Sequence, residues 1–305
     1  ARSVAIYCAT EFSGGKTMSS HSHIVNIHKV DATHTKTQSD HVAVEEPLEI
    51  QLVSAGAEGA AAKSVSITMR TPGHDHELAL GFLYTEGIID SYQQIAAVES
   101  IGEIEAVSGY KNIVRVEIDA AIDLQLERLE RHFYTTSSCG VCGKASLDAL
   151  RVTGQKSLAE QETSFPRQTL IEMPDRVRTL QPLFSKTGGL HAAAIFGSDG
   201  EIRVVREDVG RHNATDKAIG ALLASGELPG HQFGLLVSGR ASFELMQKSL
   251  VAGIPFLAAV GAPSSLAVQM AVDFDMTLVG FLRNNTFNIY ANPQRISEGA
   301  STSGD

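Results

Sequence analysis

The strongest constraint on the fold lies between residues 188 and 282. Short, mostly apolar runs recur there at 190–196, 202–205, 233–237, 255–260 and 277–282, and helical patterns occupy 211–224, 242–252 and 264–272 between the later runs. Such runs have no polar side to turn to water, so strands of this kind are buried on both faces, and the intervening helices are the layers that cover them. The region predicts one α/β domain over residues 183–295.

The first half has a different rhythm. Residues 46–53 and 64–70 alternate as strands do, with a turn containing Gly56 and Gly59 between them, and Thr71-Pro72-Gly73 ends the second strand. A helix is expected from Asp75, as N-cap, to near Gly87, and further strands at 104–107 and 113–118. This predicts an α+β domain over residues 41–134, joined by a connector at 135–182. Residues 1–40 are rich in Ser, Thr, His and Lys with little periodicity and read as a poorly ordered tail, and residues 296–305 are taken as a second tail. His21, His23, His28 and His34 fit no ligand spacing and are expected to be solvated, so no protein-ligated metal is expected.

Charge narrows the function. A formal net charge of −10 repels phosphates on average, so neither nucleic acid nor an anionic membrane is an expected partner, and any anionic ligand must meet a local basic site. The apolar stretch 250–272 is interrupted by Pro255, Pro263, Ser264, Ser265 and Gln269, which fits buried strand and helix pieces rather than a membrane span. Residues 1–20 lack the basic start and apolar core of a secretory signal. Three cysteines, Cys8, Cys139 and Cys142, make no disulfide framework, and the close pair suggests thiol chemistry in a reducing cytoplasm.

That pair stands in Thr135-Thr136-Ser137-Ser138-Cys139-Gly140-Val141-Cys142-Gly143-Lys144. Small hydroxylic residues and glycines cannot pack as core, so the segment reads as an exposed loop whose cysteines a bulky protein donor can reach. Lys144 favours the thiolate, and an ordinary thiol pKa of about 8.5 needs only modest lowering. On spacing alone, persulfide chemistry, a dithiol–disulfide couple, a zinc site completed by distant ligands and chance pairing all remain open.

The surrounding segments narrow the choice. They are Arg70-Thr71-Pro72-Gly73-His74-Asp75-His76-Glu77-Leu78-Ala79, Ser138-Cys139-Gly140-Val141-Cys142-Gly143, Thr187-Gly188-Gly189-Leu190-His191-Ala192-Ala193 and Arg206-Glu207-Asp208-Val209-Gly210-Arg211-His212-Asn213-Ala214. Ser238-Gly239-Arg240-Ala241-Ser242-Phe243-Glu244, Ala262-Pro263-Ser264-Ser265-Leu266-Ala267 and Thr277-Leu278-Val279-Gly280-Phe281-Leu282-Arg283 follow in order. Together they resemble the formate dehydrogenase accessory sulfurtransferase family across most of the chain. The resemblance implies a homodimeric protein that accepts sulfur from a cysteine desulfurase and passes it to a molybdenum bis(pterin guanine dinucleotide) cofactor, making formate dehydrogenase active. It also implies a C-terminal domain similar to the cytidine deaminase fold, with a mixed sheet and helices on both faces. Cys139 matches the family's persulfide-bearing cysteine and Cys142 its second motif cysteine, while Phe281, Leu282, Arg283, Asn284, Asn285 and Thr286 match a segment associated with cofactor binding. A deaminase reads H-x-E and then P-C-x-x-C. Here the cysteines precede His191, and Ala193 stands where the glutamate would be, so deaminase chemistry is not expected. Two other functions compete: a non-catalytic chaperone that delivers the cofactor, and a dithiol oxidoreductase.

A guanine dinucleotide carries phosphates, and Arg206, Arg211, His212 and Lys217 supply a basic cluster at a helix start whose amides favour an anion. The competing reading pairs those cations with Glu207 and Asp208. Ser238 and Arg240 flank Gly239 where a buried strand gives way to a helix, the usual place for ligand loops, although a cap explains them too. Residues 281–286 offer an aromatic face, a cation and two amides for guanine, against a plain turn with Asn at positive φ. His191, taken alone, reads as a core histidine.

Overall fold

The computed structural model describes residues 21–55, 62–119 and 157–298. Its first elements are strands β1 (Ser22–Val30), β2 (Thr35–Ala43), β3 (Glu46–Ser54) and β4 (Lys63–Arg70), then helix α1 (Asp75–Thr85), β5 (Ile95–Ile104) and β6 (Lys111–Ile118). β7 (Phe165–Pro166), α2 (Arg167–Thr179) and α3 (Pro182–Thr187) precede β8 (His191–Gly197), β9 (Ile202–Asp208) and α4 (Arg211–Ser225). The chain continues through β10 (Phe233–Val237), α5 (Phe243–Val251), β11 (Phe256–Ala259), α6 (Ser265–Asp273), β12 (Thr277–Arg283), β13 (Thr286–Ala291) and β14 (Ile296–Ser297).

The second half forms a six-stranded mixed sheet in the order β13, β12, β11, β10, β8, β9. β10, β11 and β12 are parallel, while β8 is antiparallel to both β10 and β9. Both faces are dry, as the apolar runs require. Leu235, Val237, Leu257 and Leu278 join the cluster that contains residues of α4, α5 and α6. Leu236, Phe256, Ala258 and Val279 turn to the other face, against Phe165 and the α2 residues Leu170, Met173 and Val177. Helix α2 lies inside the expected connector; its apolar residues recur at helical spacing, and Pro174 within it does not prevent the stripe from packing.

In the first half, β4, β3, β6 and β5 form a four-stranded sheet whose β3–β6 pair is parallel. Leu48, Ile50, Leu52, Val114 and Val116 are buried in the same cluster as α1 and α4, so one core runs from this sheet to the six-stranded one. Four details differ from the sequence reading. Ile296–Ser297, placed in the expected second tail, form β14 and pair in parallel with β7. Residues 22–43, largely within the expected tail, pair as the antiparallel hairpin β1–β2, because backbone pairing needs no apolar side chains. The strand expected at 104–107 is instead β5, ending at Ile104, and residues beyond it turn through Glu105 N–H to Tyr110 O, 2.9 Å. The residue before α1 is His74 in the left-handed region (φ 56°); the Asp75 carboxylate accepts from Arg70 Nε and Nη2 at 3.0 and 3.0 Å.

Candidate functional site

β9, β10, β11 and β12 point the same way, so their carboxyl ends share one edge of the sheet, and α4, α5 and α6 all start there. Free amides at three helix N-termini give that edge partial positive charge. Ser264 caps α6, its hydroxyl accepting from Ala267 N–H at 3.2 Å.

The loops beyond the strands continue the ladder. Ser238 N–H donates to Ala192 O and Ala192 N–H to Ser238 Oγ, each at 2.9 Å; Gly261 N–H donates to Gly239 O at 2.9 Å, and Phe281 N–H to Gly261 O at 3.0 Å. Ser238 therefore ties β10 to the start of β8, and Gly239, Gly261 and Phe281 stand side by side. A Cβ on Gly261 would come within 2.9 Å of Gly239 O, so this close approach needs glycine.

Phe281 has φ 54°, a conformation that costs an L-residue about 1–2 kcal/mol and occurs at a break in the β12–β13 register. Arg283 holds its guanidinium 5.5 Å from the Phe281 ring centre. Asn284 (φ 52°) and Asn285 (φ 58°) are the two central residues of the hairpin turn, both left-handed as a type I′ turn requires. Thr286 Oγ1 donates to Arg283 O at 3.1 Å, and Leu282 is buried on the α2 face. Residues 281–286 are thus a turn and a pair of half-buried aromatic and exposed cation at once, with Leu282 serving the core.

The basic residues divide into two groups. Arg206 Nε and Nη2 donate to the two carboxylate oxygens of Glu77, the latter at 2.7 Å. Burial opposes ionisation of Glu77, but hydrogen bonds from Arg206 and His74 outweigh it and bring the pKa down to about 2. Lys217 is buried and donates to Asp208 Oδ2 at 2.7 Å and Thr71 O at 2.8 Å. Asp208 also accepts from Thr71 N–H, Gly210 N–H and Asn213 Nδ2. These two cations hold the first half against α4 and β9. Arg211 and Arg240, by contrast, have no side-chain hydrogen bond or ion pair among the described residues. His212 lies 3.9 Å from Glu244 on α5, and the imidazole beside it pulls the Glu244 carboxyl down to about 2.

Three buried polar atoms at this edge, Arg211 Nε, His212 Nε2 and Ser242 Oγ, lack a hydrogen-bond partner among the described residues. Buried donors are satisfied in the great majority of proteins, so such a group fits a ligand that supplies acceptors. His191, at the start of β8, lies beside Gly239 and Arg211. Sequence reasoning read it as a core histidine, whereas its ring is half-buried at the edge, and it missed the Glu77–Arg206 pair, whose partners are 129 residues apart. Cys8, Cys139 and Cys142 lie outside the described residues.

Fold and edge together define a mixed α/β protein with a cationic margin at the carboxyl ends of its strands. The model of the FdhD/NarQ family matches residues 43–297. Proteins named sulfur carrier protein FdhD are 48% identical over 86% of this chain and 90% of the relative in Streptomyces coelicolor, and 51% over 84% and 91% in Mycolicibacterium paratuberculosis. The archaeal relative of that name from Sulfurisphaera tokodaii is 38% identical over 89% of this chain and 98% of its own. In fold, the chain is similar to a crystal structure described as a candidate formate dehydrogenase accessory protein from Desulfotalea psychrophila, with a TM-score of 0.70 at 22% identity, covering 91% of this chain and all of that one. The chain belongs to the FdhD/NarQ family.

Proposed function

We propose that the chain is a cytoplasmic sulfurtransferase that carries sulfur on Cys139 to a molybdenum cofactor bearing two pterin guanine dinucleotides, for the benefit of formate dehydrogenase. The cofactor is cargo. In the loading step the Cys139 thiolate attacks the outer sulfur of a cysteine desulfurase persulfide; a sulfur–sulfur bond forms on Cys139 as the donor's breaks, and the donor cysteine leaves as thiolate. Cys142 is the second thiol of the same loop. Relatives named as sulfur carriers support this reading, since both cysteines stand in the family segment quoted above.

The observation that carries the cargo half of the reading is the carboxyl edge, where the buried Arg211 Nε, without a hydrogen-bond partner among the described residues, and the exposed Arg240 stand near the starts of α4 and α5. Phosphates fit that set, because helix N-termini and guanidinium groups both favour anions. Phe281, with Arg283 over its ring, offers a face on which a guanine stacks. Arg206 holds the scaffold through Glu77. The mixed sheet with covered faces supports reading this half as a deaminase-like scaffold.

The test is mass spectrometry of the protein after incubation with a cysteine desulfurase and cysteine. Wild type gains one sulfur atom at Cys139, and Cys139→Ala gains none. Equal sulfur gain in the variant defeats the assignment, whereas loss of two hydrogens without sulfur gain selects a dithiol couple.

A further inference from the structure

We propose that His191 is a ligand-contacting residue which, with Arg211, grips a phosphate group of the cargo in the space that Gly239 leaves open. The inference rests on the cargo reading above and adds to it a residue and a subsite.

The geometry converges on one point. His191 Nδ1 and Cε1 each lie 3.4 Å from where a Cβ on Gly239 would sit, and Arg211 Cδ lies 3.7 Å from it. An imidazole and a guanidinium stem therefore flank the same small volume, and a glycine forms its floor. Neither side chain is engaged in the fold. His21 meets Tyr110, His231 meets Gly253 O and His76 meets Ser100, but the His191 side chain makes no hydrogen bond or ion pair among the described residues. Its strand neighbour Asp208 is already fully occupied by Lys217, Thr71, Gly210 and Asn213. Arg211 Nε is buried and unpartnered. A partner missing from Arg211 Nε, beside a half-exposed imidazole, is what an oxyanion would supply.

Burial lowers the His191 pKa, and Arg211 and His212 on α4 lower it further against the opposing pull of Asp208 on β9. The ring is accordingly neutral at pH 7 and donates one hydrogen bond. An anion seated between His191 and Arg211 would offset the guanidinium charge and raise that pKa.

The experiment follows the His191 ring by NMR in the wild-type protein, assigned with His191→Ala, while inorganic pyrophosphate or GDP is added; calorimetry gives affinities for wild type, His191→Ala and Gly239→Ala. Gly239 does not adopt positive φ, and 3.4 Å is ordinary contact, so alanine is tolerated there and only takes up the ligand's space. The expected result is a ring resonance that shifts, a histidine pKa that rises with either probe, and GDP affinity reduced about tenfold in each variant. GDP binding that leaves the ring unmoved and both variants at wild-type affinity overturns the proposal while the cargo reading stands. Pyrophosphate that moves the ring but binds as tightly as GDP keeps the phosphate grip and defeats the guanine reading. If neither probe binds, both fall.

Discussion

Gly81 of α1 and Gly220 of α4 face each other with their backbones in contact: a Cβ on Gly81 would lie 1.9 Å from Asp216 O, and one on Gly220 1.9 Å from Glu77 O. No side chain stands between the two helices at this crossing. Because the obstructing atoms are backbone carbonyls, neither helix can yield locally. Gly220→Ala is expected to destabilise the protein by about 2–3 kcal/mol, read as a lower denaturant midpoint. An unchanged midpoint would mean that the helices are further apart than described.

Beside this crossing, Glu77 of α1 makes an acid-sensitive contact with Arg206 of β9. Glu77 has a pKa of about 2 in the fold against 4.5 ordinarily, so its contribution, on the order of 3 kcal/mol, is present above pH 4.5 and is lost as pH falls toward 2. Glu77→Gln should lower stability at pH 7 and flatten its decline across that window. Urea titrations at pH 7 and pH 3.5 check this; parallel losses in both proteins would assign the acid sensitivity elsewhere.

Arg206 and Arg240 predict opposite phenotypes. Arg206→Ala leaves a mostly buried carboxylate without its guanidinium and should cost about 2–3 kcal/mol of stability. Arg240 is exposed and unengaged, so Arg240→Ala should leave the melting temperature unchanged while weakening GDP binding in a salt-dependent way. Calorimetry at two ionic strengths beside thermal melts separates the two roles.

Phe281 holds a left-handed backbone that glycine would adopt without strain. Phe281→Gly is expected to keep stability within about 1 kcal/mol of wild type, strain relief offsetting lost contacts, while GDP affinity drops several-fold. A variant that binds GDP normally would make the aromatic ring a bystander.

A protein with Cys139→Ala and Cys142→Ala together should bind GDP as wild type does, since the edge is built from other residues, yet fail to activate formate dehydrogenase. Full activation by this variant would instead select a delivery chaperone.

Much of the second half was legible because its signals are local. The buried run at 233–237 coincides with β10, and the helix expected at 211–224 is α4, Arg211–Ser225, closed by Gly226 at φ 71°. The β1–β2 hairpin was missed because its Ser, Thr, His and Lys side chains stay in water, leaving no apolar alternation to read. β5 was misplaced for a related reason: it is an edge strand of mostly exposed or half-exposed residues.

Order along the chain by itself determined the alternation of strand and helix, the family segments and the places where loops leave the sheet, since each depends on residues a few positions apart. Which cations are free was decided only in three dimensions. Arg206 and Arg211 stand five positions apart and look equivalent in sequence, but Glu77 reaches the first from α1 while the second pairs with no acid among the described residues. The physical reason is that charge pairing falls off within a few ångströms, and whether a carboxylate comes that close depends on how α1 packs on α4.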